Sequence, residues 1–205
     1  MSRTNHWSER VSASRPHPSL SSGVGPPDQS PMDATHMQTR SLKLVLQTLE
    51  EARAEVEAMS PADRSHVSAD WLARLRALTS ADPWTLGFSL VLRNSDTVVG
   101  SAGFKGPPAA DGVVEIAYGV NPEHQGRGYA TEAAQALSAY AFSSGQVRVV
   151  RAHTRPEPNA SMRVLTKCGF RRIGEVIDPE DGLVWRWEKD VEAAAEPDAA
   201  ADGGA

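Results

Sequence analysis

The chain has 205 residues, of which 40% are hydrophobic and 23% charged, a balance typical of a globular protein with one sizeable core. A formal net charge of -5 and a pI near 5.7 disfavour a nucleic-acid partner, and no apolar run approaches the ~20 residues of a membrane-spanning helix, so no membrane partner is expected. The one cysteine, Cys168, excludes an intrachain disulfide and fits a cytoplasmic location, as does an N-terminus without the apolar segment of a secretory signal.

The two ends of the chain differ in composition from its middle. Residues 1–38 are rich in Ser, Pro and Gly, and residues 191–205 consist largely of Ala with Glu, Asp and Gly. Such segments bury too little apolar surface to offset the entropy lost on ordering. We therefore predict a disordered leader over 1–38, one folded domain over 39–190 and a disordered tail over 191–205.

The first half of the folded domain predicts two helices among strands. Thr48 followed by Glu51 is a capping box, which places a helix over Glu50–Met59, and Ser68 is expected to cap a second helix. Two apolar runs around a polar turn at 94–96 predict an antiparallel hairpin. The strands predicted in this half are Leu42–Leu46, Gly87–Leu92, Thr97–Phe104 and Val113–Val120.

The second half alternates helices and strands. A helix with a narrow face of small residues is predicted over Tyr129–Ser143, and a shorter helix over Asn159–Lys167 ends before Gly169, where a glycine is expected. The remaining predicted strands are Val147–His153, Phe170–Ile177 and Leu183–Lys189. The order β-α-α-β-β-β-α-β-α-β-β predicts an α/β (α+β) domain, a mixed sheet with helices packed on it.

A polar, glycine-bearing loop joins the fourth predicted strand directly to the long helix. The first turn of a helix leaves N–H groups without partners and carries about half a positive charge. Gly126 and Gly128 permit close approach of the backbone, and Ala130 leaves the first turn unobstructed. The loop therefore predicts a cradle for a phosphate or pyrophosphate.

The loop lacks residues that two common nucleotide-binding motifs require, and this makes a nucleotide a less favoured ligand. A Walker A loop requires a Gly-Lys pair, and none occurs in the chain. A dinucleotide-binding loop requires a third glycine where Thr131 stands, and it belongs to a parallel β-α-β unit rather than to a hairpin-rich sheet. A nucleotide-phosphate-binding protein is therefore the least favoured functional alternative.

The segment Gln125-x-x-Gly128-x-Ala130 matches the pattern Q/R-x-x-G-x-G/A, and the chain resembles the GNAT superfamily of N-acetyltransferases, which carries it. Further segments are similar to the branch containing the ribosomal-protein N-terminal acetyltransferases: Glu115-Ile116-Ala117-Tyr118, Gly128-Tyr129-Ala130-Thr131-Glu132-Ala133, and Asn159-x-Ser161 with Lys167-Cys168-Gly169-Phe170. The resemblance covers about residues 42–189. It implies a mixed, mostly antiparallel central sheet with helices on both faces.

The resemblance also implies acetyl-CoA as cosubstrate. Backbone N–H groups of the loop would hold the pyrophosphate, the edge of the preceding strand would bind the pantetheine arm, and Asn159 matches a cofactor contact in a second motif. No metal is expected, because the six histidines show no ligand spacing. The residues predicted to bind the cofactor are Tyr118, Gly119, Val120, Gln125, Gly126, Arg127, Gly128, Tyr129, Ala130, Thr131 and Asn159.

The attacking amine must be neutral, and the sequence offers Glu115 as a base. Deprotonating a lysine-like amine with a pKa of ~10.4 at pH 7 costs roughly 4.6 kcal/mol of free energy, whereas deprotonating an α-amine costs only about 1 kcal/mol. Alternation puts Glu115 on one strand face with Ala117 and Gly119, leaving room for a substrate. We expect partial burial to raise the pKa of Glu115 toward the working range. The alternative is a solvent-facing residue or a structural partner of an arginine.

The leaving thiolate and the acceptor complete the predicted reaction. Many GNAT enzymes place a tyrosine in the last helix to protonate the thiolate; here that position is Leu165, and Ser161 is the predicted substitute. We expect a primary amine to attack the thioester directly in a ternary complex. This amine is either a protein N-terminal α-amine or a small-molecule amine. The alternative is a non-catalytic acyl-CoA-binding module. The oligomeric state is open, a homodimer being one option.

Overall fold

A computed structural model describes residues 36–64, 67–178 and 181–191; residues 1–35 and 192–205, most of the predicted leader and tail, lie outside the described residues. Within these ranges the chain forms eight strands and five α-helices. The strands are β1 (His36–Gln38), β2 (Leu42–Leu46), β3 (Phe88–Leu92), β4 (Val98–Phe104), β5 (Val113–Val120), β6 (Val149–Thr154), β7 (Arg171–Asp178) and β8 (Gly182–Asp190). The helices are α1 (Leu49–Ala58), α2 (Pro61–Arg64), α3 (Ala69–Ala77), α4 (Tyr129–Ser143) and α5 (Ala160–Lys167), with a 3-10 turn at Pro122–His124.

The strands form one sheet in the order β1-β2-β3-β4-β5-β6-β8-β7. Every neighbouring pair is antiparallel except β5 and β6, which are parallel. A parallel pair requires a crossover connection, and α4 supplies it between these two strands. The predicted mixed, mostly antiparallel sheet is therefore confirmed, and its one parallel junction lies between β5 and β6.

The hydrophobic core lies between the sheet and α4. Phe104 at the end of β4 contacts Tyr140 of α4, with ring centroids 5.9 Å apart, and Trp84 packs on Phe104 at 4.6 Å. Residues paired in register lie on the same face of the sheet, so Phe104 of β4 and Ile116 of β5 share the apolar face. Along each strand, every second residue lies on that face. Core residues on this face are Leu42, Leu44, Phe88, Leu90, Ala102, Val114, Ile116 and Val150.

Local capping signals determine where the helices begin and end. Thr48 and Glu51 form both hydrogen bonds of the predicted capping box, at 3.1 and 2.8 Å, and Ser68 accepts a bond from the Trp71 N–H at 3.4 Å. Gly169 follows α5 with φ of 82°, a conformation that disfavours a side chain. These predictions are confirmed. Among the described helices, none has both the length and the apolar character needed to cross a bilayer.

Two predictions require correction: the start of the folded domain at residue 39, and the presence of only two helices in its first half. Residues 36–38, assigned to the leader, form β1, which pairs with β2 through Met37 and Leu44. Met37 is only 1% exposed, and burial of this apolar side chain together with backbone pairing to β2 stabilises the short strand. The short helix α2 was also not predicted. At the other end Val191, placed in the tail, donates its N–H to the Arg148 carbonyl at 2.8 Å.

Candidate active site

The parallel strands β5 and β6 separate part of the way along their length. They pair only over Val113–Glu115 and Val149–Arg151, although β5 continues to Val120 and β6 to Thr154. Strand β4 remains paired with β5 as far as Val120. Beyond Glu115, residues 116–120 therefore form an open edge of β5 facing a gap, which we call the splay. An open strand edge offers unpaired N–H and C=O groups to an extended ligand.

The loop after β5 has the geometry of an anion cradle. Gly126 and Gly128 have φ of 75° and 87°, and a Cβ added at either position would meet no atom within 4 Å. The first hydrogen bond of α4 runs from the Glu132 N–H to the Gly128 carbonyl at 3.1 Å. The N–H groups of residues 129–131 therefore have no partner within the helix, and the helix dipole favours an anion beside them. A pyrophosphate fits this donor set.

Side-chain contacts fix the cradle relative to the sheet. Gln125 Nε2 donates to the Val120 carbonyl at 2.9 Å, which ties the loop to the end of β5. Glu132 Oε2 accepts hydrogen bonds from the Thr39 hydroxyl at 2.5 Å and the Ser41 N–H at 2.9 Å. Burial alone would raise the pKa of Glu132, but these bonds to Thr39 and Ser41 outweigh it and lower the pKa. Glu132 thus anchors the start of α4, whereas Arg127 is exposed.

A cluster of charged side chains lies on the sheet face opposite α4, at the closed end of the splay. Glu115 Oε1 accepts from Lys105 Nζ at 2.9 Å and contacts His153 Nδ1 at 3.1 Å. The hairpin between β7 and β8 brings Asp178 Oδ2 to 3.8 Å from His153 Nδ1 and Asp181 Oδ2 to 3.7 Å from Lys105 Nζ. We call these five residues the Glu115 cluster. Its side chains are between 9% and 27% exposed.

The charges in this cluster reverse the pKa shift expected for Glu115. Burial favours the neutral carboxyl, but the hydrogen bond from His153 and the positive charge of Lys105 outweigh it, so the pKa of Glu115 is lowered. The predicted upward shift is therefore wrong. Burial would likewise lower the pKa of Lys105, yet the charge of Glu115 raises it. For Asp181 burial dominates, reinforced by Asp178 and Glu115, and its pKa is raised.

On the α4 side of β5, Tyr118 faces the start of α5. Its hydroxyl oxygen is buried and makes no well-aligned hydrogen bond to the described residues. Burial raises the pKa of Tyr118 well above its ordinary value, the nearby Cys168 adds to this, and the neighbouring Ser161 hydroxyl offsets part of it. Leu165, one helical turn beyond Ser161, is fully buried in the core. Tyr118 and Ser161 therefore bring two hydroxyls close together on the α4 side of β5.

Asn159 caps α5 with both ends of its side chain. Its Oδ1 accepts from the Met162 N–H at 2.9 Å, and its Nδ2 donates to the Glu157 carbonyl at 2.9 Å. These bonds explain an asparagine at this position without a ligand. Contact between Asn159 and a cofactor stays a prediction, as do the cofactor contacts of Gly119 and Tyr129.

Glu115 is the one member of the Glu115 cluster that the sequence singled out; the other four are Lys105, His153, Asp178 and Asp181. His153 was interpreted only as a strand residue, and Lys105 was not considered. The available signal was alternation: Glu115 pairs with Arg151, so His153, two positions further along β6, lies on the same face. Using that signal requires the register between β5 and β6, which the sequence does not reveal.

Comparisons with known proteins agree with this geometry. A family model described as "Acetyltransferase (GNAT) domain" matches residues 36–171. The chain is 33% identical over 93 residues to "uncharacterized N-acetyltransferase p20" of Bacillus licheniformis, covering 45% of this chain and 52% of that protein. It is 37% identical over 87 residues to "uncharacterized N-acetyltransferase YnaD" of Bacillus subtilis (strain 168), covering 42% and 51%. The chain thus spans about half the length of these relatives.

Solved structures share the fold. An acetyltransferase of the GNAT family from Bacillus anthracis matches with a TM-score of 0.53 and 22% identity, covering 76% of this chain and 98% of that one. RimL, a ribosomal L7/L12 α-N-protein acetyltransferase in complex with coenzyme A, matches at 0.55 and 17%, covering 76% and 97%. The aminoglycoside acetyltransferase AAC(6')-Ib in complex with paromomycin and acetyl-CoA matches at 0.52 and 20%, covering 73% and 93%.

Proposed function

Because the chain belongs to the GNAT acetyltransferase domain family, we propose that it transfers the acetyl group of acetyl-CoA to a primary amine. The pyrophosphate of acetyl-CoA would lie in the cradle at residues 125–130. Its pantetheine arm would lie along the open edge of β5 as an added strand. The acetyl thioester supplies the acyl group for transfer.

One observation carries this proposal: the cradle follows directly on the open edge of β5 and is hydrogen-bonded to its end. Gln125 Nε2 holds the loop to the carbonyl of Val120, the last residue of that edge. An anion site joined to an unpaired strand edge suits a ligand with a charged head and an amide-bearing arm. A free phosphate or a nucleotide would use the cradle alone.

The acceptor is proposed to approach from the face opposite α4, beside the Glu115 cluster. There the strands carry small side chains, since Gly103 pairs with Ala117 and Ser101 with Gly119. Small residues leave space for an amine to reach the splay. A protein N-terminal α-amine and a small-molecule amine are the two acceptor classes; RimL and AAC(6')-Ib are named for one of each.

Direct attack in a ternary complex is the proposed mechanism. The neutral amine forms a C–N bond with the thioester carbonyl as the C–S bond breaks. Ser161 stands beside Tyr118 on the α4 side, and we propose that it protonates the leaving thiolate. A thiolate is a tolerable leaving group, so Ser161→Ala is expected to reduce kcat without abolishing turnover.

The cofactor is tested by isothermal titration of the full chain with acetyl-CoA, repeated with Gly128→Glu. We expect micromolar binding by the wild type and an affinity at least ~10-fold weaker in the variant, because glutamate adds bulk and negative charge to the cradle. Gly145→Glu is the matched control, since Gly145 also has a positive φ, of 69°, and open space around its Cβ, but follows the other end of α4. Absence of binding by a folded wild type would contradict the proposal.

The acceptor is tested by release of free CoA in the presence of three amines: a peptide with a free N-terminal alanine, spermidine and paromomycin. Turnover with any of them, together with acetylation of the amine by mass spectrometry, supports an enzyme. Binding of acetyl-CoA with no turnover on this panel would favour the alternative, a non-catalytic acyl-CoA-binding module.

A further inference from the structure

Building on the proposed acetyl transfer, we infer that His153 is the catalytic base for the acceptor amine and that Glu115 is a positioning residue that orients it. The inference assigns a role to a side chain that the family motif does not include. It rests on the hydrogen-bond geometry, burial and position of the imidazole.

The contact between Glu115 and His153 fixes the tautomer of the histidine. An ionised carboxylate only accepts hydrogen bonds, so the contact of 3.1 Å from Glu115 Oε1 to His153 Nδ1 requires a proton on Nδ1. In the neutral imidazole, Nε2 then carries the free lone pair. A carboxylate that holds a histidine in one tautomer is the arrangement by which a neighbouring acid prepares an imidazole as a base.

His153 Nε2 is a buried atom that has no hydrogen-bond partner among the described residues. The side chain is 9% exposed, so water does not generally solvate this lone pair. Leaving a buried acceptor unpaired carries a desolvation penalty. An amine N–H arriving beside Nε2 removes that penalty, and hydrogen bonds of this kind often form only in the substrate complex.

The position of His153 suits this role. Glu115 and Arg151 are the last paired residues of β5 and β6, and His153 follows two positions later on the same face of β6. It therefore lies on one wall of the splay, and the open edge of β5 forms the other. An amine that reaches the splay from the face opposite α4 would approach the imidazole there, and Nε2, buried in the empty protein, would become accessible to it in the complex.

Glu115 is less suited to be the base itself. One of its oxygens, Oε1, contacts both Lys105 Nζ at 2.9 Å and His153 Nδ1 at 3.1 Å. These two contacts favour its ionised form, and accepting a proton would break the ion pair with Lys105. A group stabilised as an anion in this way is a weak proton acceptor near neutral pH.

The charged groups facing His153 come from every strand packed around it. Glu115 lies on β5, Lys105 follows β4, and Asp178 on β7 and Asp181 on the hairpin tip add negative charge. Arg186 of β8 is the register partner of His153 and adds positive charge. Arg151, on its own strand, is paired with Glu188 at 2.7 Å. Carboxylates and cations thus surround the imidazole together.

The proton balance of the step is simple. Nε2 takes a proton from the acceptor ammonium, and the neutral amine attacks the thioester carbonyl. The C–N bond forms, the C–S bond breaks, and the second amine proton leaves with the thiolate as CoA-SH. The imidazolium returns its proton to water, and no group is oxidised or reduced.

The test compares His153→Gln with wild type, using whichever panel amine the wild type acetylates. We expect kcat/KM to fall by about 10²–10⁴-fold, the contribution of general base catalysis, with unchanged affinity for acetyl-CoA by titration. The acidic limb of the pH profile of kcat/KM should disappear in the variant. Glu115→Gln should also lower kcat/KM, because no carboxylate then accepts from Nδ1, but it should keep the limb because His153 is still present. His36→Gln, at an exposed histidine of β1, is the control and should match wild type.

Several outcomes would overturn the inference. An unchanged limb in His153→Gln, or a fall in activity fully explained by lost folding in a thermal melt, assigns His153 a structural role. If His153→Gln fails to fold, His153→Asn retains an N–H near the Nδ1 position and replaces it. If the wild type acetylates none of the three amines, the proposed function fails separately. In that case nitrogen-15 NMR measures the tautomer of His153 independently of activity. A proton on Nε2 rather than Nδ1 at pH 8 would contradict the assignment.

Discussion

Gly100 of β4 lies so close to Gly119 of β5 that a Cβ added to Gly100 would come within 2.1 Å of the Gly119 carbonyl oxygen. The same Cβ would lie 3.0 Å from Val120 Cα. All of these contacts are with backbone, which has no rotamer that could move aside. The absence of a side chain at Gly100 therefore sets the spacing between β4 and the open edge of β5, where the pantetheine arm is proposed to bind.

Gly100→Ala is expected to destabilise the fold and to weaken acetyl-CoA binding. Inserting a methyl group into a packed site typically costs about 1–3 kcal/mol, and a backbone obstacle places this case at the upper end. Urea unfolding followed by circular dichroism measures the change. Gly174→Ala is the matched control, because Gly174 also lies in a strand but a Cβ there meets no atom within 4 Å. Equal stability of the two variants would contradict the close packing.

The hydrogen bond from His153 and the ion pair with Lys105, which both favour ionised Glu115, should make stability depend on acidic pH. The pKa of Glu115 is lowered in the folded protein from 4.5, so the folded state binds fewer protons than the unfolded state around that pKa. This contribution is present above pH 4.5 and is lost as the pH falls through the lower, folded pKa. Glu115→Gln has no carboxyl to titrate at this position, so its free energy of unfolding should fall less steeply in acid.

At pH 7 Glu115→Gln should be less stable than wild type by about 1–3 kcal/mol, because Lys105 and His153 both lose the carboxylate they contact and Lys105 keeps only the longer contact with Asp181. Urea unfolding at pH 3 and pH 7 measures both effects. Asp96→Asn serves as the comparison: it removes one partner of an ion pair with Lys43, but Asp96 is 79% exposed and the change should be within about 0.5 kcal/mol. Parallel pH curves for wild type and Glu115→Gln would argue against the lowered pKa.

Local signals in the sequence were sufficient for the helix ends and for the cradle. The Thr48–Glu51 box and Gly169 act through neighbours within a few residues, and Gly126 and Gly128 carry positive φ as a turn into a helix requires. These features depend on backbone geometry and are independent of strand order. The helix ends and the loop pattern can therefore be predicted from neighbouring residues alone, without knowledge of any tertiary contact.

Contacts between strands could not be predicted in the same way. Glu115 contacts His153, 38 residues away, through a hydrogen bond that exists only with one register of β5 against β6. Lys105 reaches the same carboxylate from beyond the end of β4. The expected rise in the pKa of Glu115 failed for this reason: burial was foreseeable from alternation, but the two partners that reverse it were not.

Glu132 is expected to contribute to stability rather than to cofactor binding. It links the first turn of α4 to the turn between β1 and β2 through the Thr39 hydroxyl and the Ser41 N–H. Glu132→Gln should lower the free energy of unfolding by about 1 kcal/mol, since two charge-assisted hydrogen bonds are weakened. Thr39→Val combined with Glu132→Gln in a double-mutant cycle should show coupling of at least about 0.5 kcal/mol.

In the same Glu132→Gln variant, affinity for acetyl-CoA should stay within about twofold of wild type, because removing a negative charge from a helix N-terminus does not weaken an anion site. Titration calorimetry provides this number. A large loss of affinity with unchanged stability would instead place Glu132 in the cofactor site, and additive single-variant effects would show that Thr39 and Glu132 act independently.

Tyr118→Phe should stabilise the empty protein. The Tyr118 hydroxyl is buried without a well-aligned partner among the described residues, and burial raises its pKa, as expected for a poorly solvated group. Removing a buried hydroxyl that lacks a well-aligned partner, while keeping the ring, should raise the free energy of unfolding by about 1 kcal/mol. Tyr140→Phe on α4 is the control, because Tyr140 is only partly buried and its ring contacts with Trp84 and Phe104 survive the change. A loss of stability in Tyr118→Phe would show that the hydroxyl has a partner, with Ser161 the nearest candidate.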